Sequence, residues 1–374
     1  MDDTIFFCQN KKCKNANLNV KNTQWYIRKG THKTKAFGLV QRYKCKTCGK
    51  TFSDQTFSLN YYLKIKTDFK EISSQFNSSN SDCFTSRHFD MSFDSLQNRR
   101  NRFARNCLYF QTKALEGIKI TEQLCSDGFE SYTASKFYPN NVNLLVGKDN
   151  KFLYYFTESH QKRKGAMTAT QKKQVKTEYN DKSFTDSTLT PNFTILIQYL
   201  EERFSGKEIE LYTDEHNVYS TVIKSFNAKW KEKGLRIVHI QTSSKKMRTI
   251  WNPLAAANYM DMLFRKDIPN HRRKTICKAR NDRNMLSRMA VYMVSHNFFK
   301  PRKILSRRKQ VSERHYHGLG IDEQKVKSLK SKLFTERFFI SRVQLPAYFE
   351  DMWFQRTHSP LHDKPGYVPQ FAAA

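Results

Sequence analysis

No run of about 18 apolar residues occurs in this chain of 374 residues, so no helical membrane span is expected. The opening MDDTIFF is acidic and has no basic region ahead of an apolar stretch, which argues against a secretory signal. No internal repeat is visible. Acid is scarce: 34 Asp+Glu stand against 66 Lys+Arg, a formal charge of +32. Glu is missing between residues 233 and 312. An excess of cations on this scale calls for a polyanionic partner, and nucleic acid is the expected one, because Lys and Arg neutralise phosphates and release counterions. The cations are spread along the whole chain rather than gathered in a tail beside an anchor, so a membrane surface is not expected. At 38% hydrophobic and 14% aromatic the chain can bury a real core. Its length suggests two or three domains.

The eight cysteines are unevenly placed. Cys8 and Cys13 form a C-x4-C pair, and Cys45 and Cys48 form a C-x2-C pair. Cys83, Cys107, Cys125 and Cys277 are scattered. Two cysteine pairs can complete a tetrahedral zinc shell. The second lies in QRYKCKTCGKTFS, which reads as strand, knuckle, glycine turn and strand, the form of a zinc ribbon. His32 is an alternative ligand, because the first spacer is wide. Tyr43, Lys44, Lys46 and Lys50 are then expected to face a DNA backbone.

Four segments follow from the pattern. Residues 1–55 are the zinc ribbon, 56–115 an all-α helix-turn-helix segment, 116–300 an α/β unit, and 301–374 a basic extension. In the helical segment, FKEISSQF and SDCFTSRHF read as two helices, DMS as a capped turn, and SFDSLQNRRNRFARN as the third helix. Phe93, Leu96, Phe103 and Ala104 form its apolar stripe. Gln97, Asn98, Arg100, Asn101 and Arg105 lie elsewhere, and they are the residue types that read base edges and phosphates. From residue 117 the elements run β-β-β-α-β-α-β-α, an α/β layer. GIKITEQLCSD (117–127), NVNLLVG (141–147) and KFLYYFTE (151–158) are strands. So are EIELYT (208–213) and LRIVHI (235–240). Helices follow Pro191 and cover 219–233 and about 254–267, with two more expected over 270–298. The large apolar residues of 325–357 are expected in the core.

Three acids stand out by position. Asp127 ends ITEQLCSD, Asp214 ends IELYTD, and Asp261 lies within the helix NPLAAANYMDMLFRKD. Acids at the ends of neighbouring strands, with a third on a packed helix, can hold two Mg²⁺ for phosphoryl chemistry. Lys245, Lys246, Arg248, Arg265, Arg272 and Arg273 supply the cations that draw DNA toward the acids. Each acid also has an ordinary reading. Asp214 suits a turn or helix cap, and Asp261 can pair with Arg265 four residues on. Asp267 competes for the third position but reads as a cap. Glu215 and His216 are weaker candidates.

These pieces resemble a bacterial insertion-sequence transposase of the zinc-ribbon, helix-turn-helix, DDE type, related to the insertion-element-one family. The resemblance rests on RYKCKTCGKTFS, SFDSLQNRRNRFARN, SDGFES, RKGAMTATQ, YTDEHNVY, NYMDMLFRKDIPNHRRKTICKARN and YMVSHNFFKPR, and spans about residues 5–302. It implies an RNase H-like catalytic core, structural zinc and two catalytic Mg²⁺. It also implies cleavage at inverted repeats and strand transfer, with Asp127, Asp214 and Asp261 as the acids. The family's third acid is commonly Glu in an I-E-x-x-N-type helix, where this chain has Asp261. The RKT at 273–275 matches the basic segment after that helix. Such enzymes act as assemblies on paired ends, so a dimer or larger on DNA is expected, in the bacterial cytoplasm at the nucleoid. The alternatives are a domesticated DNA-binding regulator without catalysis and a structure-selective nuclease on the same fold.

Overall fold

The computed structural model describes residues 5–19, 22–180, 188–272, 276–303, 313–362 and 364–373. The N-terminal unit is a three-stranded antiparallel sheet of β1 (Tyr26–Thr34), β2 (Gly38–Cys45) and β3 (Thr51–Ser53). Too small for a wide core, it stacks aromatic rings instead. Trp25 lies on Phe52 at 5.3 Å, and Tyr43 lies on Phe52 at 5.2 Å. Phe6, Phe7 and Phe57 complete the cluster with Phe339, which arrives from the far end of the chain.

Three helices follow, α1 (Phe69–Phe76), α2 (Asp82–His88) and α3 (Phe93–Ala114). Each begins on a side-chain cap: Asp68 accepts from Lys70 N, Ser81 from Phe84 N, and Ser92 from Ser95 N. Such oxygens satisfy donors that a helix start leaves open.

The third body is a mixed five-stranded sheet in the order β6-β5-β4-β7-β8. Its strands are β4 (Leu124–Tyr132), β5 (Pro139–Gly147), β6 (Leu153–His160), β7 (Glu208–Asp214) and β8 (Arg236–Thr242). β4, β5 and β6 are antiparallel neighbours, while β7 runs parallel to β4 and β8 parallel to β7. The helices are α4 (Ala169–Asn180), α5 (Leu189–Arg203), α6 (Asn217–Trp230), α7 (Ala255–Asp267), α8 (Asp282–Val294), α9 (Glu323–Leu333) and α10 (Ala347–Trp353). α5 packs on β5 and β6, α6 on β8, and α7 on β4 and β5. The outer edge of β6 is covered: Asn297 bonds both Leu153 N and Leu153 O at 2.9 Å, and Gln111 of α3 donates to Leu153 O at 3.1 Å. Covering an edge in this way blocks pairing with another chain.

The structure departs from the sequence reading in several places. The strand expected over 117–127 starts at Leu124 and runs on to Tyr132, because β5 pairs along its whole length. Among the described residues of 270–298 there is one long helix where two were expected: α8, continued by a π-helical turn at Ser295–Phe299. α4 is a helix that the sequence reading did not include. The C-terminal extension is folded inward. Leu59 N donates to Thr335 O and Arg337 N to Phe57 O, and Val326, Leu333, Tyr348, Phe349, Met352 and Trp353 are buried, as expected for large apolar residues. One continuous apolar core includes Leu59, Phe103, Leu144, Phe264, Met289 and Trp353, so packing does not stop at residues 115 or 300. No described helix is long and apolar enough to cross a membrane.

Candidate functional site

Asp127 and Asp214 meet because of how β4 parts from β7. The parallel pairing holds only at Leu124–Leu211 and Cys125–Tyr212. Two residues further on each strand, in the same register, are Asp127 and Asp214. β7 ends there, while β4 continues along β5. Asp127 therefore lies within its strand, yet stands where β7 leaves it. Space beside it depends on Gly128: a Cβ there would come within 2.2 Å of the Asn141 side chain on β5.

Asp261 comes from the middle of α7. Ala256 and Ala257 are buried one turn earlier, and so small a surface lets the helix sit close to the sheet. Phe264 meets Phe129 of β4 edge-on at 5.4 Å. Arg265 lies over Phe129 at 4.7 Å and donates to Glu130 O at 3.2 Å. The three acids line one cleft of about 220 Å³ together with Gly128, Glu130, Lys246, Arg248, Asn258 and Arg265.

The electrostatics mark the cleft as short of positive charge. Burial, then the Asp214 charge, pushes the Asp127 carboxyl up to about 6. Burial, then the Asp127 charge, pushes Asp261 up to about 7. One oxygen of Asp261, Oδ1, is buried with no hydrogen-bond partner. Asp127 Oδ1 accepts from Gly128 N at 2.8 Å, and Asp214 Oδ1 from His216 N at 2.9 Å. Crowded carboxylates with an unsatisfied buried oxygen are a donor set suited to a hard divalent cation.

The competing acids fall elsewhere. Asp267 accepts from Tyr292 Oη at 2.7 Å and pairs with Lys300, so it is an ion-pair partner rather than a helix cap, and it does not line the cleft. Glu215 is exposed. His216 is the N-cap of α6, accepting from Val218 N, the role that sequence reading offered Asp214.

The basic rim is partly as expected. Lys246, Arg248 and Arg265 line the cleft. Lys245 is exposed on the same loop. Arg272 is exposed and donates to Ser79 Oγ. Arg273 lies outside the described residues. Sequence reading missed Glu130, whose carboxylate adds to the cleft, and Tyr219, which is buried among the four acids and raised well above its ordinary range by burial and by their charges. It also missed the crest of the loop after β8. There Met247, Ile250 and Trp251 are 78%, 81% and 84% exposed, and Asn252 braces the loop by donating to Met247 O at 2.8 Å.

The helical segment corrects an expectation. Gln97 donates to Asp82 at 3.0 Å. Arg100 makes a bidentate pair with Asp82 at 2.7 and 2.9 Å, joined by Arg288 at 3.2 Å. Arg105 donates to Trp353 O at 3.0 Å. All three are buried, because α3 is enclosed by α1, α2, α8, α9 and α10. They are not presented to a DNA groove. Asn101 is half-buried with an unpartnered Oδ1. Asn98 is exposed, and it accepts from Arg102 Nε at 2.8 Å. Phe93, expected in the apolar stripe, is largely exposed, while Leu96, Phe103 and Ala104 are buried.

The cysteine cluster forms. The Sγ atoms of Cys8, Cys13, Cys45 and Cys48 all lie within 4.8 Å of one another, and none is in a disulfide. The closest spans are Cys8–Cys48 at 3.4 Å and Cys13–Cys45 at 3.8 Å. Burial raises the Cys45 thiol, but backbone N–H groups of the knuckle and the Asn15 amide outweigh it and bring Cys45 down to about 6. Gly49, at φ +73°, takes the left-handed turn of the knuckle, which glycine adopts without penalty. Four thiols so placed could bind a metal such as zinc. His32 is exposed on β1, outside the cluster. Lys44, Lys46 and Lys50 are exposed, whereas Tyr43 turns inward and donates to Asp54 at 2.7 Å.

Compared with known protein families and with curated proteins, the chain matches none.

Proposed function

We propose that the chain is a DDE-type transposase whose five-stranded sheet is an RNase H-like core, acting on double-stranded DNA. One observation carries the reading: β4, β7 and α7 deliver Asp127, Asp214 and Asp261 into a single cleft rimmed by Lys246, Arg248 and Arg265. Asp127, Asp214 and Asp261 would hold two Mg²⁺, which supply an activated attacking oxygen and a stabilised leaving oxygen in phosphodiester cleavage. The cations of the rim neutralise the flanking phosphates, which the acids alone would repel. Met247, Ile250 and Trp251 lie on the loop that carries Lys246 and Arg248 to the cleft and would give unpaired bases at a DNA end an apolar surface to stack on. The cysteine cluster would hold one structural Zn²⁺ and so fix the aromatic ribbon, leaving Lys44, Lys46 and Lys50 free for DNA phosphates.

Burial of Gln97, Arg100 and Arg105 favours a second reading. With no base-reading helix in α3, the same cleft would serve a structure-selective nuclease. The two separate in one experiment. A transposase cleaves and joins duplexes carrying the inverted repeats that flank its gene and ignores scrambled ends. A structure-selective nuclease cuts branched DNA whatever the terminal sequence. Wild-type protein that binds DNA in Mg²⁺ and cleaves neither end duplexes nor branched DNA sinks both readings and leaves a DNA-binding regulator.

A further inference from the structure

Two other carboxylates and an imidazole are enclosed in the protein, and none of them lines the cleft. Glu158 and His160 are two apart on β6, which places them on one face of the strand. Asp282 is the first residue of α8. They are 2%, 4% and 0% exposed. His160 Nε2 stands 3.9 Å from Glu158 Oε2 and 3.9 Å from Asp282 Oδ2, and ligand atoms of all three fall within 4.8 Å of one another. The segment after α10 closes the group: the His358 carbonyl lies 3.0 Å from His160 Nε2, and Ser359 Oγ donates to Asp282. Asn140 of β5 donates to Glu158 Oε1 at 3.0 Å.

This arrangement does not satisfy itself. Glu158 Oε2, Asp282 Oδ1 and Asn140 Oδ1 are buried with no hydrogen-bond partner. Buried carboxylates normally face a cation or a full set of donors. No Lys or Arg makes an ion pair with Glu158 or Asp282 among the described residues. Atoms each bonded at about 2.1 Å to one ion lie at most about 4.2 Å apart, so both 3.9 Å spans admit a shared ion. One imidazole nitrogen and two carboxylates suit a transition cation better than Mg²⁺, which favours oxygen and water.

We propose that Glu158, His160 and Asp282 form a buried site for a divalent transition cation such as Mn²⁺, separate from the cysteine cluster and from the acid cleft. The site clips three elements distant in sequence: β6, the start of α8, and the strap at 357–359. On loading, the hydrogen that His160 Nε2 directs at the His358 carbonyl moves to Nδ1, so the imidazole stays neutral and its Nε2 lone pair turns to the ion. Any proton that a carboxyl carries leaves to solvent, and the freed oxygen binds the ion. The cation then replaces the missing positive charge.

The test uses the full chain dialysed against Mn²⁺, with pulsed electron paramagnetic resonance reading imidazole ¹⁴N coupled to the ion. The acid cleft has no histidine in its lining, and thiolates give no such signal. The expected result is ¹⁴N modulation in wild type and in Asp127→Asn, lost in His160→Gln, with one fewer Mn²⁺ per chain in Asp282→Asn. A wild type saturated with Mn²⁺ that shows no imidazole coupling overturns the proposal, as does coupling that survives His160→Gln. Should His160→Gln and Asp282→Asn fail to fold, the wild type and Asp127→Asn decide: Mn²⁺ is expected to raise the Tm of both, the wild type more because its cleft also takes divalent cations, and no rise in Asp127→Asn refutes the site. None of these outcomes bears on catalysis in the cleft.

Discussion

Replacing Asp261 by asparagine should kill the chemistry and stabilise the Mg²⁺-free protein. Burial and the neighbouring Asp127 charge hold the Asp261 carboxyl at about 7, against an ordinary 3.8. The sign follows from proton counting. Between these values the folded chain keeps a proton that the unfolded chain has lost, so stability falls as pH rises through the window. The rise corresponds to about 4 kcal/mol at 1.36 kcal/mol per tenfold step. Local relaxation and the new amide's own need for acceptors bring the gain for Asp261→Asn to on the order of 2 kcal/mol. In a chain of this length that is a Tm increase of a few degrees. The assay is thermal unfolding in Mg²⁺-free buffer from pH 4 to 8.5, paired with DNA cleavage in Mg²⁺. The variant should melt above wild type at pH 8, and the gap should narrow toward pH 4, where the folded carboxyl is protonated and the unfolded one is about half protonated. An Asp261→Asn protein that cleaves DNA at the wild-type rate, or melts below wild type at pH 8, refutes the reasoning.

Arg100→Ala should cost roughly 3–5 kcal/mol, because it breaks a buried pair and leaves Asp82 short of a partner; unchanged stability with weakened DNA binding would restore the base-reading role of α3. Cys45→Ser should lose the bound metal and unfold the aromatic ribbon, read by metal content and near-UV circular dichroism; full metal content would break the assignment of the cluster. The double variant Lys246→Ala, Arg248→Ala should weaken DNA binding about equally on all sequences and lower its salt dependence by up to about two phosphate contacts, measured by titration at several salt concentrations. Trp251→Ala should leave the Tm within about 0.5 kcal/mol of wild type in stability terms and reduce cleavage at least several-fold; wild-type cleavage would mean that the exposed loop does not touch the substrate.

The features most legible in the sequence were those where residue type and spacing carry the physics. Two cysteine pairs around a glycine knuckle must converge, and they do. Strands with period-two or continuous apolar runs, such as NVNLLVG and KFLYYFTE, came out in place. Asp214 was legible because it ends an apolar strand, whereas Asp127, picked on the same ground, lies within β4 beside the point where β7 stops. The helical segment was legible in outline only. Arg100 and Arg105 look alike on a solvated helix and on a buried one, and only the partners, Asp82 and Trp353 O, decide. Those partners lie 18 and 248 residues away. The same holds for the inward fold of residues 323–353, whose helices were masked by a basic composition. Glu158, His160 and Asp282 gave no signal at all, since their proximity is made by the sheet and α8 rather than by spacing.

The most direct test of the central claim is Mg²⁺-dependent cleavage and joining of labelled duplex ends from the element that encodes this chain, comparing wild type with Asp214→Asn. Asp214, like Asp127, is half-buried where Asp261 is buried, so its change leaves the core untouched. The account predicts 3′-hydroxyl products and joined strands for the wild type, and intact but still bound ends for the variant. Equal cleavage by both proteins, or none by a wild type that binds the ends, would contradict it.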